Sequence, residues 1–588
     1  MSEPQTGQPG TRLAGQSSTH LQHHAQDLVH WYPWGPEALS AARDSGKPIL
    51  LSISYSGCHW CDVMTRESFN DAATAQLMNS LFINILVDRD ERPDLDRIYQ
   101  VAHQLLTRHG GGWPLTMFLM PEDQMPFFGG SYFPVQAHDG MPAFAAVLQR
   151  VAQYFSEQRG GLQQQNAALR EAMREADAVG AALPLEPRSL AAARQALQAR
   201  YDRNNGGWGD APKFPHAPRI DRLLRDWHAT AFDAVPDLQA LFLASMALQR
   251  MAESPLRDRQ DGGFYRYCLT ADWQQPELEK SVADNACLLQ VYADAARATG
   301  EALFTEVAAG MATWLQHQEQ THQRAHIALA LLSAAPALRD DTLVLHATAL
   351  LQQLRQQHWH NGRLHRGNSD NSLPASLDDH ATLLAALLAL QTRQFDAPML
   401  HWAGELADLL LSHFADANEG GFFFTAEDHE PLIHRSRILA DDALPAGNSI
   451  AIRTLQQLGG LLGEQRWIDA ARAALQVCLG RAIQQPLAHA SLFTALQEAV
   501  YPPLYVVVRG DALQRDSWRS TLDRLYIPRA MVLYIDALEA SLPTSLVQCA
   551  THAEGIAWLW QAGQPAQSFA APALLLDALR AAQQPPGS

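Results

Sequence analysis

The sequence has few cysteines and few basic residues, and it lacks any long apolar run. Its 588 residues include six cysteines, too few for the disulfide scaffold of a small secreted protein. Lys and Arg number 44 against 62 Asp and Glu, a net charge of −18, which disfavours nucleic acid and anionic membrane surfaces as partners. No stretch approaches the roughly 18 apolar residues that span a bilayer. The N terminus lacks the features of a secretory signal, so we expect a cytoplasmic protein.

Length and composition predict several domains of different types. A chain of 588 residues, 47% of them hydrophobic, exceeds what one core usually organises. Residues 19–180 alternate short apolar runs with helical patterns, residues 181–500 show helical periodicity, and residues 501–588 again contain β-rich runs. Residues 1–18 are polar with Gly and Pro, and we expect them to be disordered. The predicted fold is therefore multidomain, α/β plus α, with a helical region between two α/β regions.

A CxxC motif formed by Cys58 and Cys61 is the strongest chemical signal in the chain. It follows a predicted buried strand, Ile49 to Ile53, and opens a predicted helix, whose N-terminal dipole favours the thiolate of Cys58. Cys58 would be the exposed attacking thiol and Cys61 the buried resolving thiol. His59 would stabilise the thiolate further when protonated. Pro114 precedes the third predicted strand, where a thioredoxin fold keeps a cis-proline facing the CxxC pair.

Two other interpretations of the cysteine pair stay open. A zinc site needs four ligands, and no second CxxC completes the set, although histidines could contribute. The pair could also be structural and chemically inert.

We expect no metal and no cofactor, and a redox pair would have protein thiols or another redox partner as its substrates. The four remaining cysteines stand in apolar segments and are expected to be buried: Cys268, Cys287, Cys478 and Cys549.

Three segments of the helical region share one plan, in which a polar loop opens a helix, a short break follows and a second helix returns. Repeated helical hairpins predict a closed ring or a solenoid. Asp and Asn residues cluster near the predicted helix starts: Asp284, Asn285, Asp378, Asp379, Asp441, Asp442 and Asn448. N-capping explains any one of them. Their recurrence on one face would build an acidic cavity that binds a carbohydrate-like small molecule through its hydroxyl groups.

Aromatic and charged residues could serve the same cavity. Trp208, Trp273 and Phe422 to Phe424 are available to stack on sugar rings. Glu279 and Lys280 could act there as an acid and base pair, although a solvated salt bridge is the simpler interpretation.

Motifs along nearly the whole chain resemble those of the spermatogenesis-associated protein family. Those of the N-terminal region include Trp31-Tyr32-Pro33-Trp34-Gly35, Cys58-His59-Trp60-Cys61, Arg66-Glu67-Ser68-Phe69, Glu91-Arg92-Pro93-Asp94, Gly111-Gly112-Trp113-Pro114 and Gly130-Ser131-Tyr132-Phe133-Pro134. Those of the helical region include Pro212-Lys213-Phe214-Pro215, Glu279-Lys280, Asp284-Asn285-Ala286, Gly420-Gly421-Phe422-Phe423-Phe424 and Gly447-Asn448-Ser449. The resemblance implies a thioredoxin-like domain followed by an (α/α)6 toroid similar to six-hairpin glycosidases and N-acylglucosamine 2-epimerases.

Taken together, the motifs predict a thioredoxin-like thiol–disulfide protein fused to a toroid that binds a carbohydrate-like ligand. One alternative is a sugar epimerase, isomerase or glycosidase-like enzyme in which the CxxC motif is regulatory or vestigial. Another is a noncatalytic scaffold that captures partner proteins through mixed disulfides.

Overall fold

The computed structural model describes residues 12–138, 140–318, 323–367, 373–550 and 556–582. The chain divides into two compact units, of which unit 1 is Met1–Ala178 with His429–Ser436, and unit 2 is Val179–Asp428 with Arg437–Ser588. Residues 1–11 of the predicted disordered N terminus and residues 583–588 lie outside the described residues, whereas residues 12–15 form a turn with Leu13 fully buried. Among the described residues, none of the helices has the length and apolar character needed to cross a bilayer.

Unit 1 is a five-stranded sheet flanked by helices. Its elements are α1 (Thr19–His23), β1 (Trp31–Pro33), α2 (Pro36–Ser45), β2 (Ile49–Ser54), α3 (His59–Met64), a π-helical turn (Thr65–Phe69), α4 (Ala72–Leu81), β3 (Ile83–Asp88), α5 (Pro93–Thr107), β4 (Leu115–Leu119), β5 (Pro126–Gly130) and α6 (Phe144–Asp177). The strand order is β1-β3-β2-β4-β5; β1, β3 and β2 are parallel, and β4 is antiparallel to both β2 and β5. Strands β2 and β4 are buried along their whole length, which is why both appear in the sequence as unbroken apolar runs.

The edge strand β1 is not predicted by the sequence pattern. It is three residues long and ends at Pro33, so it shows neither an apolar run nor a period of two. Trp31 holds it in place, because its ring is fully buried and its Nε1 donates to Asp27 Oδ2 at 3.1 Å. The strand pairs with β3 from Trp31 opposite Asn84.

Unit 2 opens with helical hairpins. In the described residues these are α7 (Pro187–Ala199), α8 (Ala217–Thr230), α9 (Leu238–Glu253), α10 (Val282–Thr299), α11 (Ala302–Gln316), α12 (Arg324–Leu338), α13 (Asp341–Gln357), a short hairpin of β6 (Trp359–His360) and β7 (Arg363–Leu364), α14 (Leu377–Arg393), α15 (Ala397–Leu409) with a π-helical extension (Leu410–Phe414), α16 (Gly447–Leu462), α17 (Gln465–Gln484), a 3-10 turn (Pro486–His489) and α18 (Ala490–Val500). Gly300 and Gly463 adopt left-handed conformations just after α10 and α16, and these are the breaks that the sequence predicts.

The helices form a closed double ring. Each even-numbered helix from α8 to α16 packs against the next even-numbered helix, and α18 packs back against α8. The odd-numbered helices lie outside this ring, α9 against α11 and α17 against α7. Six inner and six outer helices within the described residues make an (α/α)6 toroid, so the ring is the correct choice between the two predicted architectures.

The last part of unit 2 is a small α/β element. It contains β8 (Leu504–Gly510), α19 (Ala512–Leu522), β9 (Ala530–Asp536), α20 (Thr544–Ala550), β10 (Ala557–Trp560), β11 (Gln567–Phe569) and α21 (Pro572–Ala581), with strand order β11-β10-β8-β9. The predicted pair of β-rich runs with a helix between them is confirmed as β8, α19 and β9. The element packs on the toroid, because Tyr505 donates to Gln457 O at 2.9 Å and Arg225 Nη1 donates to Pro528 O at 3.3 Å.

Candidate functional site

Cys58 and Cys61 lie at the start of α3 and form a disulfide with a Cα–Cα distance of 5.2 Å. Cys58 is the N-cap residue, and its Sγ accepts the backbone N–H of Cys61 at 3.3 Å. A sulfur therefore lies where the free amides of a helix begin. Both cysteines are only 4% exposed. The prediction of an exposed Cys58 is thus wrong for this disulfide-bonded form, because the bond to Cys61 turns the sulfur onto the first turn of the helix.

Strand register brings Pro114 close to the end of β2. Leu115 opens β4 and pairs with Ile53 of β2, a few residues before Cys58. The Trp113–Pro114 peptide bond is cis, as expected at this position. The rings of Tyr55 and Trp113 lie 5.8 Å apart, so the loop after β2 and the loop before β4 are in contact.

The residues between the two cysteines form an aromatic surface. His59 is exposed, and Trp60 is 55% exposed, which is unusual for so large an apolar residue. The Trp60 ring lies 5.6 Å from that of His59 and 5.3 Å from that of Tyr132. Tyr132 is fixed in turn, because its hydroxyl donates to Glu67 Oε2 at 2.7 Å. An exposed aromatic surface therefore adjoins the disulfide.

A buried polar cluster lies at the ends of β2 and β3, where Ser54 pairs with Asp88 in the sheet. Asp88 Oδ2 accepts the hydroxyl of Ser18 at 2.6 Å, and His20 Nε2 lies 2.6 Å from Ser54 Oγ. Burial raises the pKa of Asp88 to about 6 and lowers that of His20 to about 3. Asp88 can therefore gain or lose a proton near neutral pH. The sequence gives one indication of this buried acid, because Asp88 directly follows an apolar run that is predicted to be a buried strand.

The raised pKa of Asp88 predicts a pH-dependent stability that Asp88→Asn removes. The folded carboxyl keeps its proton up to about pH 6, whereas the unfolded one loses it near 3.8, so folding binds protons and this group loses stability as pH rises through that window. At ~1.4 kcal/mol per pKa unit, the loss reaches about 3 kcal/mol. Urea denaturation at several pH values should show that the free energy of unfolding of wild type falls relative to that of the variant between about pH 4 and pH 7. Parallel pH curves for the two proteins would contradict the assignment.

In unit 1, the cysteine pair and the acidic cluster around Asp94 are better explained by a disulfide and by ion pairs than by metal coordination. The sulfurs of Cys58 and Cys61 are bonded to each other, so neither is a free thiolate ligand. Asp94, His429 and Glu430 are the described residues whose ligand atoms come within 4.8 Å of one another. The Arg92 guanidinium already lies among them, 2.7 Å from Asp94 and 2.5 Å from Glu430. This arrangement is an ion-pair cluster in which one guanidinium contacts both carboxylates.

Three loops of the toroid share a motif of Asp, three residues, two glycines and an aromatic residue, which the sequence analysis missed. The motif runs from Asp202 to Trp208, from Asp258 to Phe264 and from Asp416 to Phe422. In each loop the Asp carboxylate accepts the backbone N–H groups two and three residues further on. Each carboxylate also pairs with one cation, respectively Lys213, Lys280 and Arg437. An internal search for repeated glycine pairs would have found this signal.

Two of the predicted ligand-binding residues hold these loops in place. Asn285 accepts the N–H of Phe264 at 2.7 Å and donates to its carbonyl at 2.9 Å. Asn448 makes the same pair of bonds with Phe422, both at 2.9 Å. Gly263 is required at its position, because its φ is +75° and a Cβ there would lie 2.9 Å from Asn285 Oδ1.

The aromatic residues proposed to stack on sugars are mostly in the core. Trp208, Trp273 and Phe422 are 1–2% exposed and Phe424 is 5% exposed. Trp208 Nε1 donates to Leu197 O at 2.9 Å, and Trp273 Nε1 donates to Asn205 O at 3.0 Å. The stacking prediction is wrong for these four side chains, because they pack between helices and loops of the toroid.

Glu279 and Lys280 each pair with another residue. Glu279 lies 3.4 Å from the Arg266 guanidinium, whereas Lys280 lies 2.7 Å from Asp258 and 3.0 Å from Asp261. The salt-bridge interpretation of these residues fits the structure, with partners from the loop that precedes them.

The predicted acidic residues lie at the N-terminal ends of the inner helices. Asp379 forms a capping box with Ser376 at the start of α14 and pairs with Arg366 at 2.9 Å. Asp378 adjoins the start of α16, since a Cβ on Gly447 would lie 1.9 Å from its Oδ1.

The charges of Asp284 and Asp441 both act on the buried thiol of Cys287. Burial, with the charges of Asp284 and Asp441 nearby, raises the pKa of Cys287 to about 12. Asp441 accepts the N–H of Ser491 at the start of α18 at 2.8 Å, and burial raises its own pKa to about 6. Asp442 is exposed and its N–H donates to Leu444 O. The predicted carboxylates thus come from the N-terminal ends of α10 and α14 and from the loop before α16.

The buried-cysteine prediction can be checked at three of its four positions. Cys268, Cys287 and Cys478 are buried free thiols, and the side chain of Cys549 lies outside the described part of the chain.

Comparison with known proteins gives matches to both parts of the chain. Residues 10–174 match the Thioredox_DsbH family model, described as a protein of unknown function, DUF255. An uncharacterised protein of Caenorhabditis elegans is 36% identical over 285 residues, 48% of this chain and 38% of the nematode protein, so this chain spans well under half of that relative. Spermatogenesis-associated protein 20 of Rattus norvegicus is 26% identical over 91% of this chain and 86% of its own length. A solved D-mannose isomerase is 13% identical, with 54% of this chain and 99% of that chain covered and a TM-score of 0.41.

The long match to the rat protein and the DsbH-type match at the N terminus agree with the motifs quoted above. The resemblance is confirmed: the chain is similar to spermatogenesis-associated protein 20 along most of its length, and its N-terminal region matches the Thioredox_DsbH model.

Proposed function

We propose that unit 1 exchanges disulfides with protein thiols through Cys58 and Cys61. The observation that carries the proposal is the disulfide at the N-terminus of α3, with Cys58 Sγ accepting a helix amide at 3.3 Å. The same amides stabilise the thiolate that forms when the disulfide is reduced. Among thiols, those in this position of a CxxC motif have the lowered pKa that exchange requires.

The exchange proceeds in two balanced steps. A thiolate of the partner attacks Cys58 Sγ, the Cys58–Cys61 bond breaks, and Cys61 leaves as a thiolate that takes up a proton. A second thiolate of the partner then attacks the mixed disulfide, which releases Cys58. The partner ends as a disulfide, and this protein ends with two reduced cysteines. The reverse sequence oxidises this protein and reduces the partner.

The surface around the disulfide supports a polypeptide as the partner. Trp60 is 55% exposed, and apolar contact with aromatic rings is a common way of holding a protein partner. The two cysteines are 4% exposed each, so the attacking thiol must be positioned over them. A partner that contacts Trp60 with its own side chains would be positioned in this way.

Trapping of the mixed disulfide tests the proposal. In Cys61→Ser the resolving thiol is absent, so reduced protein mixed with a disulfide-bonded protein substrate should accumulate a covalent adduct through Cys58. Non-reducing electrophoresis detects the adduct, and added dithiothreitol should release it. Cys58→Ser/Cys61→Ser is the matched control and should give none. An equal yield from this control, or no adduct from Cys61→Ser, would overturn the proposal.

We further propose that unit 2 binds a carbohydrate-like ligand at the N-terminal ends of its inner helices. Asp441 lies in the loop before α16, and burial raises its pKa to about 6, so it can donate a proton near neutral pH. A carboxyl that can act as a general acid is what sugar isomerisation or epimerisation needs in addition to binding. A panel of sugars incubated with wild type and Asp441→Asn, followed by NMR, tests it. Product formed by wild type but not by Asp441→Asn would support the proposal. If wild type forms no product, the proposal that unit 2 is a sugar isomerase or epimerase is wrong.

A further inference from the structure

A cleft of unit 2 lies away from the N-terminal ends of the inner helices. It has a volume of about 350 Å³ and is enclosed by α13, the α14–α15 loop, α19 and β9. The toroid therefore supplies one wall, and the C-terminal α/β element supplies the other. This volume is within the range of small-molecule sites.

The floor of the cleft contains hydrogen-bond donors with no acceptor among the residues that the structure describes. Tyr534 lines the cleft and is 3% exposed, and its buried hydroxyl has no hydrogen-bond partner among the described residues. Arg393 and Arg519 also line the cleft, and their buried Nε atoms likewise have no hydrogen-bond partner in the described part of the chain. The Arg519 guanidinium lies 4.7 Å from the centre of the Tyr534 ring. A buried donor left without an acceptor is destabilising, so three of them at one place need an explanation.

One guanidinium on this floor forms no ion pair within the described part of the chain. The charges that act most strongly on Tyr534 are the carboxylate of Asp523 and the guanidinium groups of Arg393 and Arg519. Asp523 is already engaged, because its Oδ2 accepts Arg393 Nη1 at 2.9 Å. Arg519 has no ion-pair partner among the described residues, and arginine and tyrosine donors suit carboxylate or phosphate oxygens.

The rim of the cleft carries the opposite charge. It is lined by Asp341, Asp516, Asp536 and Glu539, and only Asp536 has an ion-pair partner among the described lining residues, Arg515 at 2.9 Å. This rim repels large polyanions such as nucleic acid. It favours a ligand whose far end carries hydroxyl or ammonium groups that donate hydrogen bonds to carboxylates.

We propose that this cleft binds a small anion, with its carboxylate or phosphate on Arg393, Arg519 and Tyr534 and its donor groups towards the acidic rim. The anion supplies the acceptors that the three buried donors lack. The site is independent of the disulfide chemistry of unit 1 and of the carboxylates at the other end of the inner helices.

Binding of inorganic phosphate and of acetate to the full chain tests whether the cleft recognises a phosphate or carboxylate group. Either anion should raise the melting temperature of the wild type in a saturable way, beyond the effect of sodium chloride at equal ionic strength. Tyr534→Phe should weaken that anion's affinity by at least about fivefold, equivalent to ~1 kcal/mol for one hydrogen bond. The variant itself should be at least as stable as wild type without anion, because the lost hydroxyl has no partner to lose.

Tyr505→Phe, on the neighbouring strand β8, is the matched control. Its hydroxyl is also buried but donates to Gln457 O at 2.9 Å, so this variant should lose stability and keep the anion affinity of wild type. Arg393→Gln gives a second variant within the site and should also weaken binding. Stabilisation no greater than with sodium chloride, or equal affinities for wild type and Tyr534→Phe, would overturn the proposal.

Discussion

Cys58→Ser is expected to reduce thiol–disulfide exchange by this protein to the uncatalysed background. In thiol–disulfide exchange the sulfur of Cys58 acts either as the nucleophile or as the disulfide sulfur that a thiolate attacks. A serine hydroxyl can take neither role at neutral pH. Cys58 is the cysteine at the N-cap of α3, where the helix amides act on its sulfur. Reduction of a disulfide-bonded protein substrate, followed by counting its free thiols, measures the effect.

The control for this loss is a cysteine substitution away from unit 1. Cys287 is a free thiol buried in the toroid, and burial with two carboxylates nearby raises its pKa to about 12, which leaves it protonated and unreactive. Cys287→Ser should therefore keep full exchange activity. Loss of activity in both variants would show that folding, and not Cys58 chemistry, is being measured.

Asp202→Ala is expected to lower the stability of unit 2 by about 3–5 kcal/mol, the cost of leaving a buried charge without its partner. The Lys213 side chain is fully buried, with its Nζ 2.6 Å from Asp202 Oδ2 and 2.9 Å from Ala271 O. Burial would raise the pKa of Asp202, but Lys213 and the amides of its own loop outweigh it and lower the pKa to about 2. The effect is measured by urea denaturation followed by circular dichroism, because unit 2 is largely helical.

The pH dependence of this effect has a defined sign. A carboxyl whose pKa is lowered in the folded state contributes its full stability above its unfolded value of 3.8, and that contribution is lost as pH falls towards 2. The difference between wild type and Asp202→Ala should thus be constant at neutral pH and shrink in acid. Asp210→Ala, an exposed aspartate a few residues further on, should change stability by less than about 0.5 kcal/mol. Equal effects of the two substitutions would contradict the buried-pair assignment.

Much of the fold follows from local sequence patterns. The fully buried strands β2 and β4 are apolar runs, and the glycines after α10 and α16 end their helices as expected. The helical repeats alone left a ring and a solenoid open, because closure depends on α18 packing against α8, whose residues are far apart in sequence; the family resemblance is what implied the toroid. The edge strand β1 was missed because its pairing with β3 is set by the burial of Trp31 and not by periodicity.

The candidate sites were predictable to a different degree. The CxxC pair and Pro114 were found because neighbouring residues in the sequence and the order of the predicted strands are enough to identify them. The exposure of Cys58 was predicted wrongly, since burial depends on how the disulfide lies against α3. Asn285 and Asn448 were singled out by their position, but only coordinates show that each holds the backbone of a glycine-rich loop. Tyr534 gave no signal at all, because its cleft is formed by α13, α19 and β9 together.

A redox titration of the full chain tests the central claim most directly. The protein is equilibrated in glutathione buffers of graded ratio, quenched with an alkylating agent and analysed by peptide mass spectrometry. Cys58 and Cys61 should change state together in one reversible two-electron transition, while Cys268, Cys287 and Cys478 stay reduced throughout. A pair that remains oxidised, remains reduced or changes irreversibly at every ratio would contradict the assignment of unit 1 as a disulfide-exchange domain.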